Sequence, residues 1–197
     1  MYAIVKDGAI TATGNIKQLF PNTSFAGGTA NADFKTAEGV MDIVQGERKN
    51  QKYYYVTQGD IALVDGVPTQ QYTNTAKRLV DEDAKDDDGN QIYKQVWSDS
   101  ANDGAGGFVD TSEKVINQGL KTVVTAEVKD TANKKLVSTD WMVIRKYERD
   151  VAIPSATATY RAAVITECAR LETAINNASD VDALATVMAG QNWPKED

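Results

Sequence analysis

Apolar positions recur at the helical period in the last third of the chain and alternate loosely with polar ones over its first half. Between Ser155 and Asn177, the residues Tyr160, Val164, Cys168, Leu171 and Ile175 are spaced by four, four, three and four. That spacing lines them along one face of a helix. Pro154 and Ser155 mark its start, and Asn176 and Asn177 its end. About 22 residues make a rod of roughly 33 Å, whose apolar stripe needs a packing partner to be stable. Residues 111–136 supply that partner as a mostly helical segment, with Ile116, Leu120, Val123, Val124 and Val128 recurring at near-helical spacing. Gly119 and the β-branched run 122–125 weaken helix propensity and leave a start near Gly119 as the alternative. Between the two rods, Thr139 and Asp140 open a shorter helix with Trp141 and Ile144 turned inward. Arg161, Arg170 and Glu172 point away from the main stripe. Ser179 caps a last short helix that Gly190 closes, and Trp193-Pro194 with the charged end reads as a tail.

The first half reads as strands and turns. Asp7-Gly8 between apolar runs predicts a hairpin over residues 1–10. A loop follows over 19–28, anchored by Phe20 and Phe25 and ending in Gly27 and Gly28. Residues 31–38 predict a short helix ended by Gly39. Strands are expected over 40–44 and 52–57, with a turn at Gln58-Gly59-Asp60, a return over 61–64, a second turn at Asp65-Gly66 and a mixed continuation to Val80. Successive tyrosines at 53, 54 and 55 face opposite sides of a strand, so at least one looks outward. The acidic run over 81–90 reads as a solvated hairpin tip with a return strand over 92–97, and 98–107 as a flexible connector. Together these predict an α+β fold. An antiparallel β-rich N-terminal domain (residues 1–98) leads through a glycine-rich linker (99–110) to a helical C-terminal domain (111–197). That last domain is an antiparallel helical hairpin with a short extra helix.

Charge and chemistry narrow the function. The net charge is −7, with 42% hydrophobic and 25% charged residues. Phosphate contacts need clustered Lys and Arg, so neither nucleic acid nor an anionic membrane is an expected partner. No apolar run approaches the ~20 residues that span a bilayer, and residues 1–8 turn polar too early for a signal peptide. The chain has no histidine, which removes the commonest general base and metal ligand. Its one cysteine, Cys168, sits on a helical stripe and reads as a small core filler. Aligning Gly89 with the sixth position of a calcium loop puts Ala84 and Gln95 where the end carboxylates belong, so no metal is expected. Gly104, Gly106 and Gly107 lack the lysine and hydroxyl of a phosphate cradle. No cofactor and no catalytic residue are assigned. A carboxylate-based glycan-acting enzyme stays as the remaining catalytic alternative.

One stretch carries a resemblance. The run 139–145, Thr-Asp-Trp-Met-Val-Ile-Arg, then Ile153-Pro154, then Tyr160-Arg161-Ala162-Ala163-Val164, resembles a C-terminal module of tailed-bacteriophage proteins, marine phages in particular. The likeness covers roughly residues 126–184 and, more weakly, residues 1–8, Met-Tyr-Ala-Ile-Val-Lys-Asp-Gly. A looser form with Asp-Trp, proline and Tyr-Arg closes some tail fibre assembly chaperones, which often carry Gln-Leu-Pro where this chain has Met142-Val143-Ile144. The resemblance implies a non-enzymatic structural or accessory virion component, tail-associated, that docks on other phage structural proteins. Made in the host cytoplasm, it would reside in the virion, with homo-oligomers expected by analogy to tail rings and trimers. Trp141, Arg145, Tyr160 and Arg161 are the expected organisers of the helical module. Arg145 and Arg161 are expected to bridge to acidic residues inside it. A tail fibre assembly chaperone is the alternative reading.

Overall fold

The computed structural model describes residues 1–25 and 28–195; Ala26, Gly27 of the expected loop, and Glu196 and Asp197 of the charged end lie outside the described residues. The chain is an α+β protein, with sheets toward its N-terminus and helices toward its C-terminus. It divides into two compact units, Met1–Ala76 and Lys77–Asp197.

In the first unit, β1 (Tyr2–Lys6) and β2 (Ala9–Gly14) are joined through Asp7 and Gly8, both left-handed at φ 51° and 73°. Two positive φ values twist the turn in the sense that the strands twist, which is why Asp-Gly marks it. A one-turn helix, α1 (Ile16–Leu19), is closed by reciprocal bonds: Gln18 N donates to Asn15 Oδ1 at 3.0 Å and Asn15 N to Gln18 Oε1 at 2.9 Å. The next helix, α2 (Ala32–Glu38), starts where Phe34 N donates to Asn31 Oδ1 and stops at left-handed Gly39. A Cβ on Gly39 would come 2.4 Å from Val5 O, so the close approach of α2's end to β1 requires glycine. Phe34 meets Phe20 and Phe25 edge-on, with centroids 5.0 Å apart in each pair, over the buried Ile16, Ala30 and Val40. Two short strands follow, β3 (Val40–Asp42) and β4 (Val44–Gln45), and then the long β5 (Tyr54–Val64) and β6 (Val67–Ala76). The sheets have orders β2-β1-β3 and β4-β6-β5, the β4–β6 pair being parallel.

Gln58-Gly59-Asp60 does not turn the chain. β5 runs straight through, pairing Gln58 with Tyr72 and Ile61 with Gln70, so Gly59 and Asp60 together oppose Gln71 in a bulge. Side chains hold it: Gln70 Nε2 donates to Gly59 O, and Gln58 Nε2 to Gln70 Oε1 at 2.9 Å. The turn at Asp65 and Gly66 forms with φ 50° and 78°. Tyr53 and Tyr54 are buried and Tyr55 faces solvent.

The second unit opens with β7 (Glu82–Asp83), β8 (Tyr93–Ser98), the single turn α3 (Ala101–Gly104), β9 (Gly107–Lys114) and β10 (Ile116–Asn117). Three expectations fail here. Residues 99–110 are not a linker: β8 pairs antiparallel with β9, and the glycine-rich stretch is the end of that hairpin. Gly106 is needed because a Cβ there would meet the Trp97 ring at 2.5 Å. Residues 111–117 are extended rather than helical, and the division between units falls at Ala76/Lys77 instead of near 98.

The first long helix, α4 (Leu120–Leu136), starts at Gly119, the later of the two expected starts. Its free N–H groups are met by the preceding chain: Gly119 N donates to Asp81 Oδ1 at 2.7 Å, Leu120 N to Arg78 O and Lys121 N to Leu79 O. After a 3-10 turn (Val137–Thr139) come α5 (Asp140–Arg149), α6 (Ser155–Asn177) and α7 (Val181–Ala189). Lys121 Nζ reaches Asn176 O, and Tyr160 Oη reaches Lys135 O, so α4 and α6 lie antiparallel. Leu120, Val124, Val128 and Ala132, each four residues apart, bury against α6, which contributes Val164, Leu171 and Ile175; Val181, Leu184 and Met188 of α7 complete the core. Each of the larger aliphatics contributes about 1.5–3 kcal/mol on burial. Asp180, one residue beyond the expected Ser179, caps α7, its Oδ1 accepting from Ala183 N at 2.8 Å.

Candidate functional site

The four expected organisers gather around the joint between α4, α5 and α6. A helix ends with carbonyls that lack partners within it, and at the end of α4 two residues of α6 supply the donors. Tyr160 Oη donates to Lys135 O at 3.3 Å, and Arg161 Nη1 donates to Leu136 O at 2.9 Å. The same Nη1 donates to Thr139 Oγ1 at 2.6 Å, and Nη2 pairs with Asp140 at 2.9 Å. Arg161 thus turns inward to the joint, where the stripe argument had pointed it away, because its fork meets the carbonyl, the hydroxyl and the carboxylate at once.

Arg161 also explains where α5 faces. By gripping Thr139 and Asp140 it fixes the rotation of the helix that starts there. Trp141 and Ile144 do not turn inward as expected: they are 51% and 57% exposed, and Tyr147 is 93% exposed. The half-buried residues of α5 are Met142 and Arg145. Among the described residues Arg145 makes no acidic bridge of the kind expected. Its guanidinium lies 4.7 Å from the centre of the Trp141 ring, and its buried Nε has no hydrogen-bond partner. At about 100° per residue, Trp141, Ile144, Tyr147 and Val143 span roughly 160° of the helix. Asp140 and Glu148 share that arc, the first held by Arg161. Val137 just before the helix and Val151 just after it are exposed as well. α5 is an amphipathic helix turned apolar side out.

A second exposed aromatic pair stands on the β8–β9 hairpin. Trp97 and Phe108 are cross-strand partners packed edge-on with centroids 5.4 Å apart, and Trp97 Nε1 donates to Asp99 Oδ1 at 2.8 Å. No family model, curated protein or solved structure matches the chain.

The groups with chemical potential are tied into structure. Cys168 Sγ donates to Glu172 Oε1 at 3.3 Å, and burial first, then Glu172, pushes its thiol up, away from the reactive thiolate. Asp86 at the acidic tip accepts from Asn90 N at 2.8 Å and Asn90 Nδ2 at 3.2 Å, and then from Asp88 N at 3.0 Å, bonds that hold its carboxyl below the usual range. Among the described residues no cluster of three or more His, Cys, Asp or Glu is placed to hold a metal, and no helix is long and apolar enough to cross a membrane.

Sequence reasoning missed Glu167. It is buried in the α6 face and accepts from Arg170 Nε and Nη2 at 2.7 Å each and from Asn192 N at 2.7 Å, while Arg170 Nη2 also donates to Gly190 O. Lys135 Nζ donates to Pro194 O. These bonds strap residues 190–194 over the helices. The Glu-x-x-Arg spacing was the available signal, since residues three apart on a helix are neighbours.

Proposed function

We propose that the chain is a non-enzymatic structural or accessory component of a tailed-phage particle, tail-associated and acting through protein–protein docking. The observation that carries the reading is the apolar solvent face of α5, Trp141, Ile144 and Tyr147. It lies inside the stretch that resembles the phage module. A Trp stacked with an Arg, and a fully exposed Tyr beside them, is the composition of interface residues that dominate binding energy. The partners are phage structural proteins, further copies of this chain among them, and the place of action is the virion. Mass spectrometry of purified particles tests this: the chain should appear in fixed stoichiometry with tail proteins. Absence from mature particles, with capture on fibre tips during assembly, would replace the structural role by that of a fibre assembly chaperone. Full degradation of host glycan by the chain alone would overturn both.

A further inference from the structure

We propose that the outer face of α5 forms a two-fold interface with a second copy of this chain; the inference rests on α5 being a docking element. Three observations select this occupant. The first is area. Trp141 and Tyr147, at 51% and 93% exposure, present about 300 Å² if a buried aromatic contributes about 200 Å². Val137, Val143, Ile144 and Val151 raise this to roughly 500 Å². A standard interface buries about 800 Å² per partner, of which about 60% is apolar. One α5 face therefore supplies the apolar share of a whole standard interface, and supplies it from a single helix.

The second observation is charge. A chain of net charge −7 repels its own copies. Over Asp140–Asp150 the repulsion is small: the three acids Asp140, Glu148 and Asp150 are matched in number by Arg145, Lys146 and Arg149. Asp140 is paired with Arg161, and Lys146 with Asp150. On the outward arc Asp140 is neutralised by Arg161, which leaves Glu148 as the remaining carboxylate, so an apolar strip of about one charge can meet its own image across a two-fold axis, where every residue faces the same strip. The third is the inverted polarity of the helix. Arg145 is drawn inward with an unsatisfied Nε while Ile144 and Tyr147 face water. Such a face suits a permanent interface, which is more apolar than a transient one, and the commonest permanent partner is another copy.

The test is the mass of the full chain in solution by analytical ultracentrifugation, from about 1 to 100 μM, because a dimer is stabilised by protomer concentration. The expected result is twice the chain mass, and Ile144→Glu should weaken the dimer about 100-fold by placing a charge in a desolvated centre. Tyr147→Lys, at the most exposed position, is the second variant should the first fail to fold. A monomer across the range overturns the inference, and so does a dimer that both folded variants keep. The docking reading is scored separately, by whether the same variants are lost from particles. A monomeric wild type whose variants are lost from particles means that a different protein covers α5.

Discussion

Arg161→Ala removes the fork that joins the three helices of the second unit. The wild-type guanidinium donates to the Leu136 carbonyl and to the hydroxyl of Thr139, which is buried. A hydrogen bond from a charged group contributes about 1.5–3 kcal/mol, and both acceptors would be left facing a gap. The ion pair with the half-exposed Asp140 adds little, about 0.2–1 kcal/mol, because solvent screens it. The loss should therefore be about 3–4 kcal/mol. Trp97, Trp141 and Trp193 all lie in Lys77–Asp197, so tryptophan fluorescence in urea reports this unit alone. With a slope of about 2 kcal/mol per molar, the midpoint should fall by roughly 1.5–2 M at unchanged slope. Arg161→Lys keeps the charge but not the fork, and should lose about half as much. A loss below about 0.5 kcal/mol for Arg161→Ala would refute the account, since a joint held by that fork cannot be indifferent to its removal.

Further tests bear on other parts of the fold. Leu171→Ala, at a fully buried position in the α4–α6 seam, should cost about 2–5 kcal/mol by the same fluorescence assay. Gly39→Ala places a methyl 2.4 Å from Val5 O at φ 67°, and should destabilise the first unit by more than about 1 kcal/mol, seen as faster amide exchange in β1 with α4 unchanged. Arg170 and, after it, Asn192 N–H draw the Glu167 carboxyl below its ordinary range against the opposing push of burial. A lowered folded pKa gives stability that is present above the unfolded value, about 4.3, and is lost as pH falls through the folded one. Glu167→Gln should flatten that acid limb; a limb as steep as in the wild type would assign it to other carboxylates. Calcium and chelator should leave the melting temperature unchanged, because Asp86 already accepts bonds from its own loop.

Where one residue's chemistry decides the backbone, the sequence was enough. Asp7-Gly8 and Asp65-Gly66 announced their hairpins because both positions need positive φ. α6 was legible end to end because its stripe is long and its ends are marked by Pro154 and Ser155 and by Asn176 and Asn177. The misreadings share a cause. Gly106 and Gly107 look like a flexible tether, yet Gly106 is there to admit the Trp97 ring, a contact between strands that no local pattern reveals. Gly59 resembles a turn residue and serves a bulge for the same reason. In α5 the periodicity located an apolar face, but a period cannot say which side the rest of the protein covers. That was decided by Arg161 across the joint, whose role followed only from the orphaned carbonyls at the end of α4.

The bulge in β5 bears on how the protein survives at high local concentration. β5 is eleven residues long and ends its sheet order, which makes it a template along which other chains could zip. The extra residue at Gly59-Asp60 breaks the even spacing of its amides and sets a carboxylate in their midst. A chain at high concentration gains from such a knot, because the free edge of β5 is a poorer template for a second strand. Deleting Gly59 should even out that edge and make edge-to-edge pairing easier.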